Sequence, residues 1–188
     1  MPDREVKTIK DQIFFQYAKI IAKAAFGIDN GVDAKKKCYG FIKETFRNLK
    51  SGKMSWSDIL REDMQFIDKD KECIYCGSKE NLQKDHIVPK TLTVNERCCE
   101  CDTIQAVHNI VFACGECNSK KSQKGLYTYW HEINPDKEKS FDYLPVLLEK
   151  KYLKTIYKCH ECAGTLDLVI ENIHATDIDC VINNNLSK

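Results

Sequence analysis

Two cysteine pairs, Cys73-Ile-Tyr-Cys76 and Cys114-Gly-Glu-Cys117, enclose Asp85-His86-Ile-Val-Pro89 and His108-Asn109, with Asn118 and Lys121 directly after. Zn²⁺ prefers tetrahedral sulfur and nitrogen ligands, and a two-residue gap lets one tight turn present both thiolates. The four sulfurs of Cys73, Cys76, Cys114 and Cys117 therefore read as one zinc site. All four positions are filled by protein, so the zinc is structural. Gly77 and Gly115 relieve the backbone at the two turns. Such a knot would gather Asp85, His86, Asn109 and Asn118, a set suited to breaking a phosphodiester bond with one metal ion.

The chemistry of each residue supports that reading. A carboxylate such as Asp85 is a hard oxygen ligand for Mg²⁺ or a similar ion. An imidazole near its neutral pKa, such as that of His86, can take a proton from water. Adjacent strand residues point to opposite sides, so a regular strand cannot aim both at one site, whereas a bent or bulged strand end can; Pro89 is consistent with pairing that stops there. The amides of Asn109 and Asn118 can fix an imidazole or a loop, or coordinate through oxygen; loop capping is the plainer alternative for both. Lys121 falls one turn beyond Asn118. With Lys120 and Lys124 it makes a basic patch beside the site, where a cation can meet a phosphate. His108 fits a plain structural role.

In this order, Cys-x-x-Cys, Asp-His-Ile-Val-Pro and His-Asn-Ile-Val-x-Ala-Cys-x-x-Cys-Asn-x-x-Lys resemble the HNH endonuclease family, also called ββα-metal or His-Me finger nucleases. The resemblance covers about Cys73 to Gly125. It implies that His86 is the general base, that Asp85 is the first ligand of a catalytic Mg²⁺ or Mn²⁺, and that Asn109 orients the base. Asn118 falls on the final metal-ligand position, where many members carry His, making this an H-N-N variant. The implied reaction is hydrolysis of DNA, double-stranded in the expected case, leaving 5′-phosphate and 3′-hydroxyl ends. A small restriction or defence enzyme is the implied setting, and cutting both strands of a palindrome favours a two-fold homodimer. A non-catalytic zinc-ribbon DNA binder and a protein-interaction zinc module are the alternatives.

The insert between the half-motifs departs from the family pattern and carries Cys98, Cys99 and Cys101. Cys98-Cys-Glu-Cys101 could join Cys159-His-Glu-Cys162 in a second zinc site, since Cys159 and Cys162 would share a face of a helix. Otherwise these are reduced thiols that pack as small hydrophobes. Cys38 and Cys180 read as structural or incidental.

The elements that must hold this chemistry divide the chain into three parts. Residues 1–70 read as helical. Ile9, Ile13, Phe14, Tyr17, Ile20, Ile21, Ala24 and Ala25 recur at helical spacing, ended by Gly27 and the Asn30-Gly31 turn. A second helix carries Tyr39, Ile42, Phe46 and Leu49 and stops near Ser51-Gly52. A third begins near Ser55, with Trp56, Ile59, Leu60, Met64 and Phe66 as its apolar face. Residues 71–130 form the catalytic core: strands at Asp85–Val88 and Asn109–Ala113, a turn-like stretch from Asn95 to Asp102, then a short helix from Cys117 and a turn at Gly125. Residues 131–188 are mainly helical. Leu147, Leu148, Tyr152, Leu153, Ile156 and Tyr157 mark one helix, with Pro145 in its first turn; Leu166 to Val181 suits strand and helix equally. The fold class is α+β, a zinc-supported ββα core between helical segments.

Composition sets the outer bounds. The 188 residues are 43% hydrophobic and 30% charged, with a net charge of +1, so attraction to nucleic acid must come from local patches. Lys35 to Lys37, the Lys120 cluster, and Lys150-Lys151 with Lys154 and Lys158 are the candidates; a solvated helix face is the bland account of the first. The charged N-terminus is not followed by an apolar signal core, and Lys19 and Lys23 interrupt the most apolar early stretch, which excludes a membrane span there. The expected compartment is the cytoplasm, where eleven cysteines favour metal binding over disulfides.

Overall fold

Thr8 opens the first helix with a reciprocal cap: its hydroxyl accepts the Asp11 N–H at 3.1 Å while the Asp11 carboxylate accepts the Thr8 N–H at 3.4 Å, satisfying two donors that the first turn leaves free. Helix α1 runs Ile9–Phe26 and ends at Gly27, whose φ of 69° suits a residue without a Cβ. Helix α2 spans Val32–Lys50. The computed structural model describes residues 4–27, 32–55, 71–90, 109–135 and 144–169. The expected third helix, the Cys98–Cys101 insert, His108 and Cys180 lie outside the described residues, as do all but the first four residues of the Leu166–Val181 stretch.

After residue 71 come strand β1 (Leu82–His86), strand β2 (Ile110–Cys114), helix α3 (Gly115–Lys121), helix α4 (Leu126–Ile133) and helix α5 (Val146–Ala163). The architecture is α+β, five helices and one antiparallel two-stranded sheet among the described residues. The register pairs Leu82 with Cys114 and His86 with Ile110.

Strand β1 lies earlier than the Asp85–Val88 run expected from its apolar residues. Beyond His86 the backbone bends: the Ile87 N–H reaches the Asn109 carbonyl at 2.9 Å, and Val88 bonds to the Asn109 side chain instead of a strand partner. The short helix expected from Cys117 is α3, which starts two residues earlier; a further helix, α4, follows Gly125, and Pro145 stands one residue before α5 as its N-cap.

One cluster of buried side chains draws on all three parts of the chain. Phe15 of α1 meets Phe46 of α2 edge-on at 5.7 Å, and Phe14 stacks on Tyr157 of α5 at 5.6 Å. Tyr39, by contrast, stays 49% exposed, whereas Phe46 and Leu49 of the same expected face are buried. Helix α5 buttresses the sheet: Lys151 is buried, its Nζ on the Ile110 carbonyl at 3.3 Å. The chain after α5 returns to α1, where Val169 bridges Thr8 in antiparallel fashion. No helix among the described residues is long and apolar enough to cross a membrane.

Candidate active site and metal centre

The register of the hairpin brings the two knuckles together. Pairing of Leu82 with Cys114 sets the end of β2 beside the start of β1, and the Ile74 N–H donates to the Phe112 carbonyl at 2.9 Å, docking the first knuckle on β2. The first knuckle turns through Gly77 at φ 75°. At Gly115 the demand is space: a Cβ there would stand 2.6 Å from the Asn81 amide nitrogen. The sulfurs of Cys73, Cys76, Cys114 and Cys117 all lie within 4.8 Å of one another, and those of Cys76 and Cys114 are 3.7 Å apart. Four sulfurs at about 2.3 Å from a tetrahedral zinc stand about 3.8 Å from each other, so the cluster fits that ion. Cys114 also caps α3, its sulfur accepting the Cys117 N–H at 3.4 Å; that bond first, helped by the neighbouring thiols, lowers its pKa to about 7, while burial pushes the Cys117 thiol up.

Helix α3 packs on one face of β1. Gln83 and Asp85, two apart on the strand, share that face, and Asn118 and Lys121, three apart on the helix, meet it. The Asn118 Nδ2 donates to Gln83 Oε1 at 3.0 Å, which leaves the amide oxygen as its donor atom toward a cation. Lys121 is 0% exposed, and its ammonium donates to Asp85 Oδ1 at 3.2 Å and to the His86 carbonyl at 2.7 Å. The other carboxylate oxygen, Oδ2, accepts the Tyr75 hydroxyl at 2.7 Å. Asp85 is thus a buried carboxylate with both oxygens engaged and a cation already beside it; its hard oxygens suit a divalent ion, but such an ion must displace the Lys121 ammonium to reach Oδ1.

His86 closes β1 and is half-buried, whereas Asp85 is buried. Burial first, then the positive charge of Lys90, holds the imidazole pKa below its ordinary 6.5, against the pull of Asp85. The ring is therefore neutral at neutral pH, the form that accepts a proton. Immediately beyond, Asn109 is fully buried and spans the bend: its Oδ1 accepts the Val88 N–H at 2.8 Å and its Nδ2 donates to the Val88 carbonyl at 2.9 Å. Both polar groups of Val88 are satisfied by one side chain, which fixes the turn that follows His86.

The structure thus places Asp85, Asn118 and Lys121 at the β1–α3 contact, with His86 at the strand end and Asn109 behind it. The three lysines expected to meet phosphate are engaged within the protein. Lys121 is interior; Lys120 pairs with Glu116 at 2.6 Å and Lys124 with Glu132 at 2.5 Å, both near the surface. Cys159 and Cys162 lie on α5, the first half-buried and the second exposed; their expected partners Cys98 and Cys101 are outside the described residues.

Two residues escape the sequence reading, and a third is expected at the surface. Tyr75 sits inside the first knuckle and looks like a spacer between ligands. Gln83 is visible only once β1 is known to start at Leu82, because the two-residue period then puts it beside Asp85. Lys151, expected in a basic patch with Lys150, Lys154 and Lys158, is instead buried with its ammonium on the Ile110 carbonyl; no sequence mark separates it from the lysines around it.

Residues 73–124 match the HNH endonuclease family. No curated protein and no solved structure matches the chain. The matched span begins at the first zinc-type cysteine and includes all four, so residues 73–124 are an HNH endonuclease domain of the kind built around a four-cysteine metal site.

Proposed function

We propose that the chain is a metal-dependent DNA endonuclease that hydrolyses phosphodiester bonds with His86 as general base and a single catalytic divalent ion. The observation that carries this reading is the end of β1: a half-exposed imidazole whose pKa burial lowers and the neighbouring Asp85 charge raises, within the span that matches the HNH endonuclease family. His86 takes the proton from the attacking water. Asn109 holds the turn behind it through Val88, so the imidazole does not drift between turnovers. Asp85 and Asn118 would hold Mg²⁺ or Mn²⁺. When bound, that ion supplies Lewis-acid stabilisation of charge at the scissile phosphate and the leaving 3′-oxygen. Lys120 and Lys124, on the exposed side of α3 and the turn after it, are the lysines we assign to phosphate contact, by exchanging their glutamate partners. Such surface pairs are worth only about 0–1 kcal/mol, so the exchange is easy.

The substrate we assign is double-stranded DNA, cut by a homodimer in a restriction or defence role in the cytoplasm. Lys121 we assign to positioning Asp85. A second zinc on Cys98, Cys101, Cys159 and Cys162 is part of the same proposal. Supercoiled plasmid incubated with the zinc-loaded protein and Mg²⁺ or Mn²⁺ tests the central reading. Nicked or linear product with 5′-phosphate and 3′-hydroxyl ends, abolished by EDTA, is expected. DNA that is bound but never cut would replace the enzyme with a non-catalytic DNA-binding module.

A further inference from the structure

The carboxylate assigned to the catalytic ion is not waiting for one. Asp85 is buried, and each of its oxygens is engaged, Oδ2 by the neutral hydroxyl of Tyr75 and Oδ1 by the ammonium of Lys121. Lys121 is itself wholly buried and anchored a second time on the His86 carbonyl. A buried carboxylate must be neutralised, and here the neutralising charge comes from within the chain. A divalent ion approaching Asp85 meets a site whose charge is already balanced, and it must first dislodge the ammonium.

Resting on the assignment of Asp85 to the catalytic ion, we propose that Lys121 is an internal competitor for that ion: its ammonium occupies Asp85 in the DNA-free protein and keeps divalent-ion affinity low until it is displaced. Two features make the exchange practicable. The His86 carbonyl gives the lysine a second acceptor at 2.7 Å, so release from Asp85 does not strand a buried charge without any partner. Tyr75 holds Oδ2 by an independent bond, so the carboxylate keeps its orientation while Oδ1 changes partners. DNA, which brings its own phosphate oxygens to complete the ion's coordination, would tip the balance toward metal. Lys121 is then a positioning residue that ties metal uptake to substrate.

The test is titration of Mn²⁺ into DNA-free, zinc-loaded protein, following free Mn²⁺ by its EPR signal. Lys121→Met removes the charge at similar length; Lys121→Gln removes it while retaining a hydrogen-bond donor and serves if the methionine variant does not fold. Loss of a unit charge in contact with the site should tighten Mn²⁺ binding about tenfold or more, and Lys121→Arg should bind as weakly as wild type. Adding Asp85→Asn to the neutral variant should erase the gain. Equal affinity in wild type and neutral variant, or a gain that survives Asp85→Asn, overturns the proposal. Wild-type protein that fills with Mn²⁺ at micromolar concentration without DNA overturns it with no variant needed. None of these readouts depends on cleavage, so a protein that binds as predicted but does not cut would refute the nuclease reading and leave this one standing.

Discussion

Replacing Asn109 by alanine should expose how much of the site hangs on one side chain. Asn109 and Val88 are both fully buried, and the amide makes two bonds to Val88, at 2.8 Å to its N–H and 2.9 Å to its carbonyl. The variant leaves two buried backbone groups without partners, at about 1–3 kcal/mol each. The sum, about 2–6 kcal/mol, is a large part of an ordinary domain stability of about 5–15 kcal/mol. Asn109→Asp should not rescue it, because a carboxylate can accept from the Val88 N–H but faces the Val88 carbonyl with a second oxygen. Urea unfolding of zinc-loaded protein, followed by tryptophan fluorescence, reads the loss as a lower midpoint at constant slope. Cleavage measured where the variant is still folded should also fall, since the turn behind His86 is no longer pinned. A stability change below about 0.5 kcal/mol, the range of neutral surface substitutions, would refute the argument that this amide fixes the bend.

Cleavage should persist below the ordinary histidine pKa. The proton-accepting form of His86 is the neutral one, and its pKa is lowered by burial and by Lys90, so the acid limb of kcat/KM should lie below pH 6.5 and move upward in Lys90→Ala; an acid limb above 6.5 would remove His86 from the role. Metal analysis of purified protein should return two zincs per chain, one from Cys73, Cys76, Cys114 and Cys117 and one from Cys98, Cys101, Cys159 and Cys162; a single zinc would remove the second site. Stripping the first zinc, or Cys73→Ser, should unfold the β1–β2–α3 unit, because binding energies of about 10–16 kcal/mol at such sites are folding energy; retained structure after chelation would contradict a structural zinc.

How much of this could be read from the residues depends on the range of the interaction concerned. Local signals were reliable. The apolar spacing of Ile9 to Ala25 and of Leu147 to Tyr157 located α1 and α5, Gly27 ended the first, and the two-residue gaps of the cysteine pairs announced the metal cluster. Ile87 and Val88 look like strand interior, yet β1 runs Leu82–His86 and stops before them. What takes them out of the ladder is Asn109, twenty-one positions away from Val88, a pairing no local pattern reveals. The interior position of Lys121 was equally hidden. Lysine is almost never fully buried unless paired, and its pairing with Asp85 exists only after α3 has folded onto β1. Tyr75 illustrates the same limit: its spacing serves the zinc knuckle, while its hydroxyl serves a carboxylate ten residues on.

The most direct test of the account is the rate at which His86→Ala nicks supercoiled plasmid in Mg²⁺, compared with wild type at equal zinc content. Loss of a positioned general base predicts a fall of about 10²–10⁴-fold with folding and zinc unchanged. A variant that cuts within twofold of wild type would contradict the claim that this strand end is where the proton is taken.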